Sequence, residues 1–417
     1  MKKQLFSYKN NQLHIESIPL EKLANNFGTP LYAYSYKALK ENFLAYQNAL
    51  EERPHLICYA VKANGNLAII NALAKLGAGF DIVSQGELER VLAAGGDPKK
   101  VIFSGVGKTQ AEMQRALRVG IHSFNIESEA ELDMLNKTTL EMSIQTNISF
   151  RVNPDVDPKT HPYIATGLKE TKFGVSVKKA KSLYRRAAKM AQLHIHGVDC
   201  HIGSQITTIE PFLEALDRLL HLIDELAEEG IIIKTLDMGG GLGIDYTEEG
   251  ISSPTTYMTA LLERVSGRDL SLVVEPGRSI VGDTGLLLTR IISIKETEDK
   301  KFAVIDAAMN DLHRPALYQA WHSILPLTQH SAGESKTYDI AGPVCESSDF
   351  LGKERELNIQ AGDLLAIMDA GAYGFSMASN YNARPRPAEV MVRGEEAKII
   401  RARESYEDLM RGEAKFD

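Results

Sequence analysis

The stretch Leu56-Ile57-Cys58-Tyr59-Ala60-Val61-Lys62-Ala63-Asn64, followed by the helix-period segment Leu67–Leu76, opens a series. A short strand-like run ends in a charge or a glycine, and a helical pattern follows it. The same run returns at Gly79–Ser84, Val101–Gly105, Ser123–Ile126, Asn147–Asn153, Ile195–Ile202, Thr235–Gly239 and Leu270–Glu275. Between the runs lie helical patterns at Gly86–Ala94, Gln110–Val119, Glu129–Leu135, Lys178–Ala191, Glu210–Glu229 and Tyr257–Val265. One helix start is legible in detail: Ser128 stands as an N-cap with Glu131 three residues on. Strands that alternate with helices form parallel βα units. Eight such units within about 220 residues predict an α/β fold, a closed (β/α)8 TIM-type barrel. A doubly wound open sheet is the competing architecture.

After residue 282 the texture changes. Gly285–Lys295, Lys301–Asp306, Thr337–Ala341, Leu364–Met368 and Glu389–Arg393 are short β-rich runs with turn residues between them. They predict an all-β C-terminal domain. Leu5–Tyr8, Leu13–Ile15 and Leu31–Tyr34 are also strand-like and join it. The expected division is therefore a barrel over 35–282 and a β domain made of 1–34 plus 283–417.

At 417 residues the chain is too long for one ordinary core. Its net charge of −8 argues against a broad surface for nucleic acid or anionic lipid. No apolar run reaches the length of a membrane span, and Met1-Lys2-Lys3-Gln4-Leu5 does not lead into the apolar core of a signal peptide. Three cysteines, Cys58, Cys200 and Cys345, are too few and too far apart for a disulfide framework or a zinc site. A reducing cytoplasm fits best.

In a barrel the chemistry is built at the C-terminal ends of the strands, and the polar residues of interest fall there. Lys62 ends the first run; it is either a charge leaving for solvent or a desolvated amine suited to a Schiff base. Asp81 and Ser84 lie on or after the second. His201-Ile202-Gly203-Ser204 ends the sixth; His201 is a stacking partner for a planar group or a hydrogen-bonded core histidine. Gly239-Gly240-Gly241-Leu242-Gly243 follows the seventh, as an anion cradle of converging N–H groups or a plain turn. Glu275-Pro276-Gly277-Arg278 ends the eighth, with Glu275 either a partner for a protonated ring nitrogen or in an ion pair with Arg278. The β domain adds His313-Arg314-Pro315-Ala316-Leu317-Tyr318, Cys345-Glu346-Ser347-Ser348-Asp349 and Asp369-Ala370-Gly371-Ala372-Tyr373-Gly374. A thiol flanked by carboxylates suits a proton donor better than a nucleophile; a buried structural cysteine is the alternative. No histidine or carboxylate stands at zinc-ligand spacing around His201.

Together these motifs, in this order, resemble the diaminopimelate decarboxylases, pyridoxal-phosphate enzymes of the alanine-racemase-like barrel group. The resemblance covers nearly the whole chain. It extends to Asp157–Gly174, with Thr160-His161-Pro162-Tyr163 and Lys172-Phe173-Gly174. It implies that Lys62 holds pyridoxal 5'-phosphate as a Schiff base, that Glu275 keeps the ring nitrogen protonated, and that His201 stacks on the ring. It places Ser204, Gly240, Gly241, Gly243, Gly277, Arg278 and Tyr373 around the cofactor. Arg278, Arg314, Tyr318, Glu346 and Tyr373 would contact the substrate, and Cys345 would donate the proton that replaces the carboxylate. It also implies a homodimer with shared active sites, the Cys345–Glu346 segment reaching the partner. Charge logic agrees with the substrate: meso-diaminopimelate has a distal carboxylate for Arg278 and Arg314 and a distal ammonium for Glu346. The expected reaction is its decarboxylation to L-lysine. An ornithine, arginine or carboxynorspermidine decarboxylase of the same fold is the nearest alternative, with an amino-acid racemase and a non-catalytic cofactor carrier further away.

Overall fold

The computed structural model describes residues 6–50, 52–157, 172–247 and 249–416. They fall into two compact units: residues 42–245 with 250–280, and residues 1–41 with 246–249 and 281–417.

In the first unit the strands are β1 His55–Ala60, β2 Gly79–Ile82, β3 Val101–Phe103, β4 Ser123–Ile126, β5 Thr146–Asn153, β6 Leu193–Asp199, β7 Thr235–Asp237 and β8 Ser271–Val274. Each pairs in parallel with the next, and β8 pairs with β1 through Leu272↔His55, so the sheet closes. This is the expected eight-stranded barrel, and the open doubly wound sheet is excluded. A two-residue strand, Val175–Ser176, extends β5 on its outer side of the pairing order. The barrel strands run apolar on both faces because helices cover the outside. Ile57, Phe80, Phe103, Phe124, Phe150 and Leu272 are all buried. The helix Glu129–Met142 starts as read from the sequence: Ser128 Oγ accepts from Glu131 N at 3.1 Å, and Glu131 Oε2 accepts from Glu127 N at 3.0 Å.

The strands end earlier than their apolar runs. β1 stops at Ala60, and Val61–Ala63 form a 3-10 turn. Tyr59 Oη donates to Asn64 O at 3.0 Å and the Asn66 side chain caps the following helix, Leu67–Lys75, so the chain turns tightly out of the sheet. Lys62 thus sits on a turn, not on a strand.

The second unit is mostly β. Its central strand Gly285–Glu296 is flanked by Leu31–Ser35 and Lys301–Ile305, and Leu31–Ser35 also pairs in parallel with Ala388–Arg393. One core of this unit joins Leu13, Ile15, Leu20, Leu23, Leu286, Leu288 and Val390. The unit is not purely strand. Leu20–Phe27 is a helix that buries Leu20, Leu23 and Ala24, and its apolar residues at i, i+3, i+4 and i+7 carry a helical period inside a segment expected to be strand-like.

Candidate active site

Polar and glycine positions of the barrel unit converge at the C-terminal ends of its strands. The Lys62 amine on the 61–63 turn donates to Asp81 of β2, whose side chain is fully buried. The turn is held against the eighth loop: Ala60 N donates to Pro276 O at 3.2 Å, and a Cβ on Gly277 would stand 3.0 Å from Ala63 Cβ and 3.1 Å from Ala60 Cβ. Glycine at 277 is what lets the lysine turn and the Glu275 loop pack together.

Glu275 follows β8 and is buried. Its Oε1 accepts from Asn125 Nδ2 at 3.3 Å and Ser104 Oγ at 3.4 Å, and these two donors are themselves bonded at 3.2 Å. Burial pushes its carboxyl well above the usual range, and Asp237, Asp81 and Asp199 add to the push while Lys62 opposes it. Among the described residues, no ion pair is seen between Glu275 and Arg278. Instead Arg278 Nη2 donates to Ser204 Oγ at 3.0 Å.

The glycine run threads between these groups. Gly239 and Gly241 have φ of +61° and +112°, a region that favours glycine. A Cβ at Gly240 would collide with Glu275 O, and one at Gly241 with Gly203 O. The loop is anchored by Glu275 N to Gly239 O at 2.7 Å and Ile206 N to Gly241 O at 3.0 Å. Gly243 lies under Gln205, whose side chain bonds Ile244 on both its N and O. His201 Nδ1 accepts from Gly240 N at 3.2 Å. Its pKa is held well below the ordinary value by burial, with Arg151 and Lys62 adding positive charge nearby. His201 is therefore a neutral ring that can present a face without adding a charge.

The remaining site residues of the sequence reading lie in the β unit. Arg314 is buried; its Nη1 bonds His322 Nε2 at 2.8 Å and its guanidinium carbon stands 4.6 Å from the Tyr246 ring centre. His322 in turn bonds Met368 O through Nδ1 at 2.7 Å, so the guanidinium is fixed from two sides. Tyr318 ends the same short helix, Arg314–Tyr318. Cys345 and Glu346 are exposed, which rules out the buried structural cysteine. Their loop is pinned by the buried Asp349, which accepts from Val344 N at 2.8 Å and Met309 N at 2.7 Å; Tyr381 Oη donates to Glu346. Tyr373 has a φ of +55°, an uncommon value for an aromatic residue. Thr160, His161, Pro162 and Tyr163 lie outside the described residues; of that segment Gly174 N donates to Glu127 Oε2 at 3.0 Å.

Several residues beside these groups are not among those singled out by sequence: Ser104, Asn125, Arg151, Asp199 and Asp237 in the barrel unit, and Tyr246 beside Arg314 in the β unit. Four of them share a signal, a polar residue inside an apolar strand end, as in Phe124-Asn125-Ile126, Phe150-Arg151-Val152, Val198-Asp199-Cys200 and Leu236-Asp237-Met238. Ser84, by contrast, is a helix cap that accepts from Glu87 N at 3.3 Å. His196 lies midway along β6, three residues before Asp199, against Thr235 and His122.

A family profile described as the pyridoxal-dependent decarboxylase, pyridoxal binding domain matches residues 36–282. The diaminopimelate decarboxylase of Vibrio cholerae is 57% identical over 406 residues, covering 97% of each chain. The chain belongs to the diaminopimelate decarboxylase family. Members of known structure superimpose closely: that of M. jannaschii in complex with L-lysine has a TM-score of 0.95 at 40% identity, covering 100% of this chain and 99% of that one. That of Helicobacter pylori complexed with L-lysine has a TM-score of 0.91 at 42% identity, covering 94% and 98%. As in the family at large, the cofactor is pyridoxal phosphate. The barrel unit fits it on its own evidence: a primary amine, a buried carboxylate with two donors behind it, a neutral imidazole, and a glycine loop whose close approaches leave no room for side chains.

Proposed function

We propose that this chain is a carboxy-lyase that converts meso-2,6-diaminopimelate to L-lysine and CO2 with the following division of labour. Lys62 would hold the cofactor through Nζ, the amine that Asp81 positions. The glycine loop 240–243, Ser204 and Arg278 would hold the phosphate, His201 would pack on the ring, and Glu275 would keep the ring nitrogen protonated. When bound, pyridoxal phosphate supplies an electron sink for the pair left on the α-carbon as CO2 departs. Cys345 delivers a proton to that carbon. Arg314, with Arg278, takes the distal carboxylate, and Glu346 takes the distal ammonium; Tyr318 and Tyr373 line the substrate.

Arg314 is the observation that carries the substrate reading. A buried guanidinium held by His322 and Tyr246 is set up for two-point recognition of a carboxylate, which ornithine lacks at its distal end. A site built to bond a group strongly rejects an analogue without it. CO2 release measured across diaminopimelate, ornithine and arginine should therefore be confined to the meso isomer of diaminopimelate; release from ornithine alone would sink the assignment.

The exposed Cys345–Glu346 loop supports a homodimer in which each copy supplies this loop to the other's barrel. Specific activity should then fall on dilution in step with dissociation to monomers. A fully active monomer would overturn the shared site. The cysteines, none of them paired among the described residues, and the absence of a long apolar helix there fit a cytoplasmic enzyme, as cell fractionation would test.

A further inference from the structure

Behind Glu275 lies a group of carboxyls with no assigned role. Asp199 ends β6 and Asp237 ends β7, and the two are register partners. One oxygen each from Asp199, Asp237 and Glu275 lie within 4.8 Å of one another, and all three residues are buried. Asp237 Oδ1 accepts from Gly239 N at 2.9 Å. Among the described residues, Asp199 Oδ1 has no hydrogen-bond partner, and the Asp237 carboxyl lies within hydrogen-bonding reach of Glu275 and Asn125 as well as Gly239 N.

The charges around this group do not balance. Arg151, the register partner of Asp199 on β5, faces it but also bonds Glu127 at 3.0 Å. Lys62 is the other cation, and Asp81 takes its amine. Among the described residues of the barrel unit, two cations thus meet five carboxyls: Asp81, Glu127, Asp199, Asp237 and Glu275. The buried thiols Cys58 and Cys200 and the phenols Tyr184 and Tyr257 also face the pair, and burial keeps them neutral. Adjacent carboxylates in such a place cannot all ionise, and two that touch titrate as a unit. Burial raises Asp199 well above the carboxylate range and Asp237 to about 7.

We propose that Asp199 and Asp237 are a pair of positioning residues that share one proton. Their single remaining negative charge sets the ionisation of Glu275, and Asp237 ties the glycine loop to it through Gly239. Cofactor ring and phosphate are thereby located by one buried unit. This rests on reading Glu275 as the ring-nitrogen partner.

Titration of apoenzyme with pyridoxal phosphate, followed by the absorbance of the bound cofactor, gives affinity as a function of pH. Affinity should fall on acidification as Glu275 takes up a proton; the cofactor's own titrations are common to all variants. With one charge on the pair, Asp199→Asn and Asp237→Asn each leave that charge on the remaining aspartate, and the midpoint stays. The double variant removes it, so Glu275 ionises more easily and the midpoint drops by about one pH unit. A shift in both single variants, or none in the double, overturns the proposal. Should the variants not fold, infrared spectra with 13C-labelled aspartate decide it, taken on Asp311→Asn enzyme because burial also pushes Asp311 of the β unit up to about 7. A protonated aspartate carbonyl band at neutral pH supports the pair, and its absence overturns it. A stoichiometric divalent cation in the purified protein would also overturn it. Failure of the Glu275 reading is distinguishable, because Glu275→Gln would then leave the spectrum and affinity profile of the bound cofactor unchanged.

Discussion

Lys62→Arg abolishes turnover while leaving the fold intact. The substitution keeps a cation beside the buried Asp81, so the carboxylate retains its partner. It removes the one property that matters for attachment, an amine that can lose its proton, since a guanidinium stays charged throughout the accessible pH range. The expected fall in kcat is on the order of 10^4-fold, the upper end of what one positioned acid–base group contributes, with the covalent anchor lost as well. Borohydride reduction followed by peptide mapping checks the cause: wild-type enzyme carries a pyridoxyl label on Lys62, and the variant carries none. A label elsewhere in the wild type would reassign the site. Lys62→Ala is the less informative change, because it strands the Asp81 carboxylate in a buried site and mixes a stability defect with the catalytic one.

The barrel was legible in the sequence because its signal is repeated: eight apolar runs with a helical pattern between them place the strands to within a few residues. What blurred was where each strand stops. Val61 and Ile202 continue their apolar runs, yet they lie beyond strands that end at Ala60 and Asp199, because side chains such as Tyr59 and Asn66 take up the backbone groups of the turn. The helix Leu20–Phe27 was missed for a related reason: eight residues between strands carry too short a period to stand out, and burial of Leu20, Leu23 and Ala24 against the neighbouring strands stabilises it.

For the candidate site, residues in distinctive motifs stood out in the sequence and the polar residues packed behind them did not. Lys62, the glycine run and Glu275 announce themselves by type and position. Asn125, Asp199 and Asp237 read as single polar residues in buried strands, and only the register of the closed barrel brings them behind Glu275. Cys345 shows the converse. Its local sequence left burial open; the structure exposes it while Asp349, four residues on, turns inward and ties the loop's Val344 amide to the Met309 amide of another segment.

Glu275→Gln should separate catalysis from stability in opposite directions. The amide fills the same volume, and Asn125 and Ser104 still have an oxygen to bond. The lost charge leaves nothing to hold the ring nitrogen protonated, so the electron sink weakens and kcat falls by on the order of 10^2- to 10^3-fold, comparable to the loss of one electrostatic stabiliser. Cofactor attachment through Lys62 is retained, so borohydride still labels that residue. Wild-type kcat in this variant would remove Glu275 from the mechanism. Stability moves the other way. Folding raises the Glu275 carboxyl well above its ordinary range, so the folded apoenzyme holds a proton that the unfolded chain gives up. By linkage, the Glu275 contribution to apoenzyme stability is fully present below about pH 4 and is lost as pH rises through the folded-state value. Glutamine carries no such penalty. Apo Glu275→Gln should therefore melt a few degrees above apo wild type at neutral pH, and the gap should close on acidification. The buried carboxyl is thus a destabilising group kept for its chemistry, and a mutation that cripples the enzyme should make the empty protein sturdier.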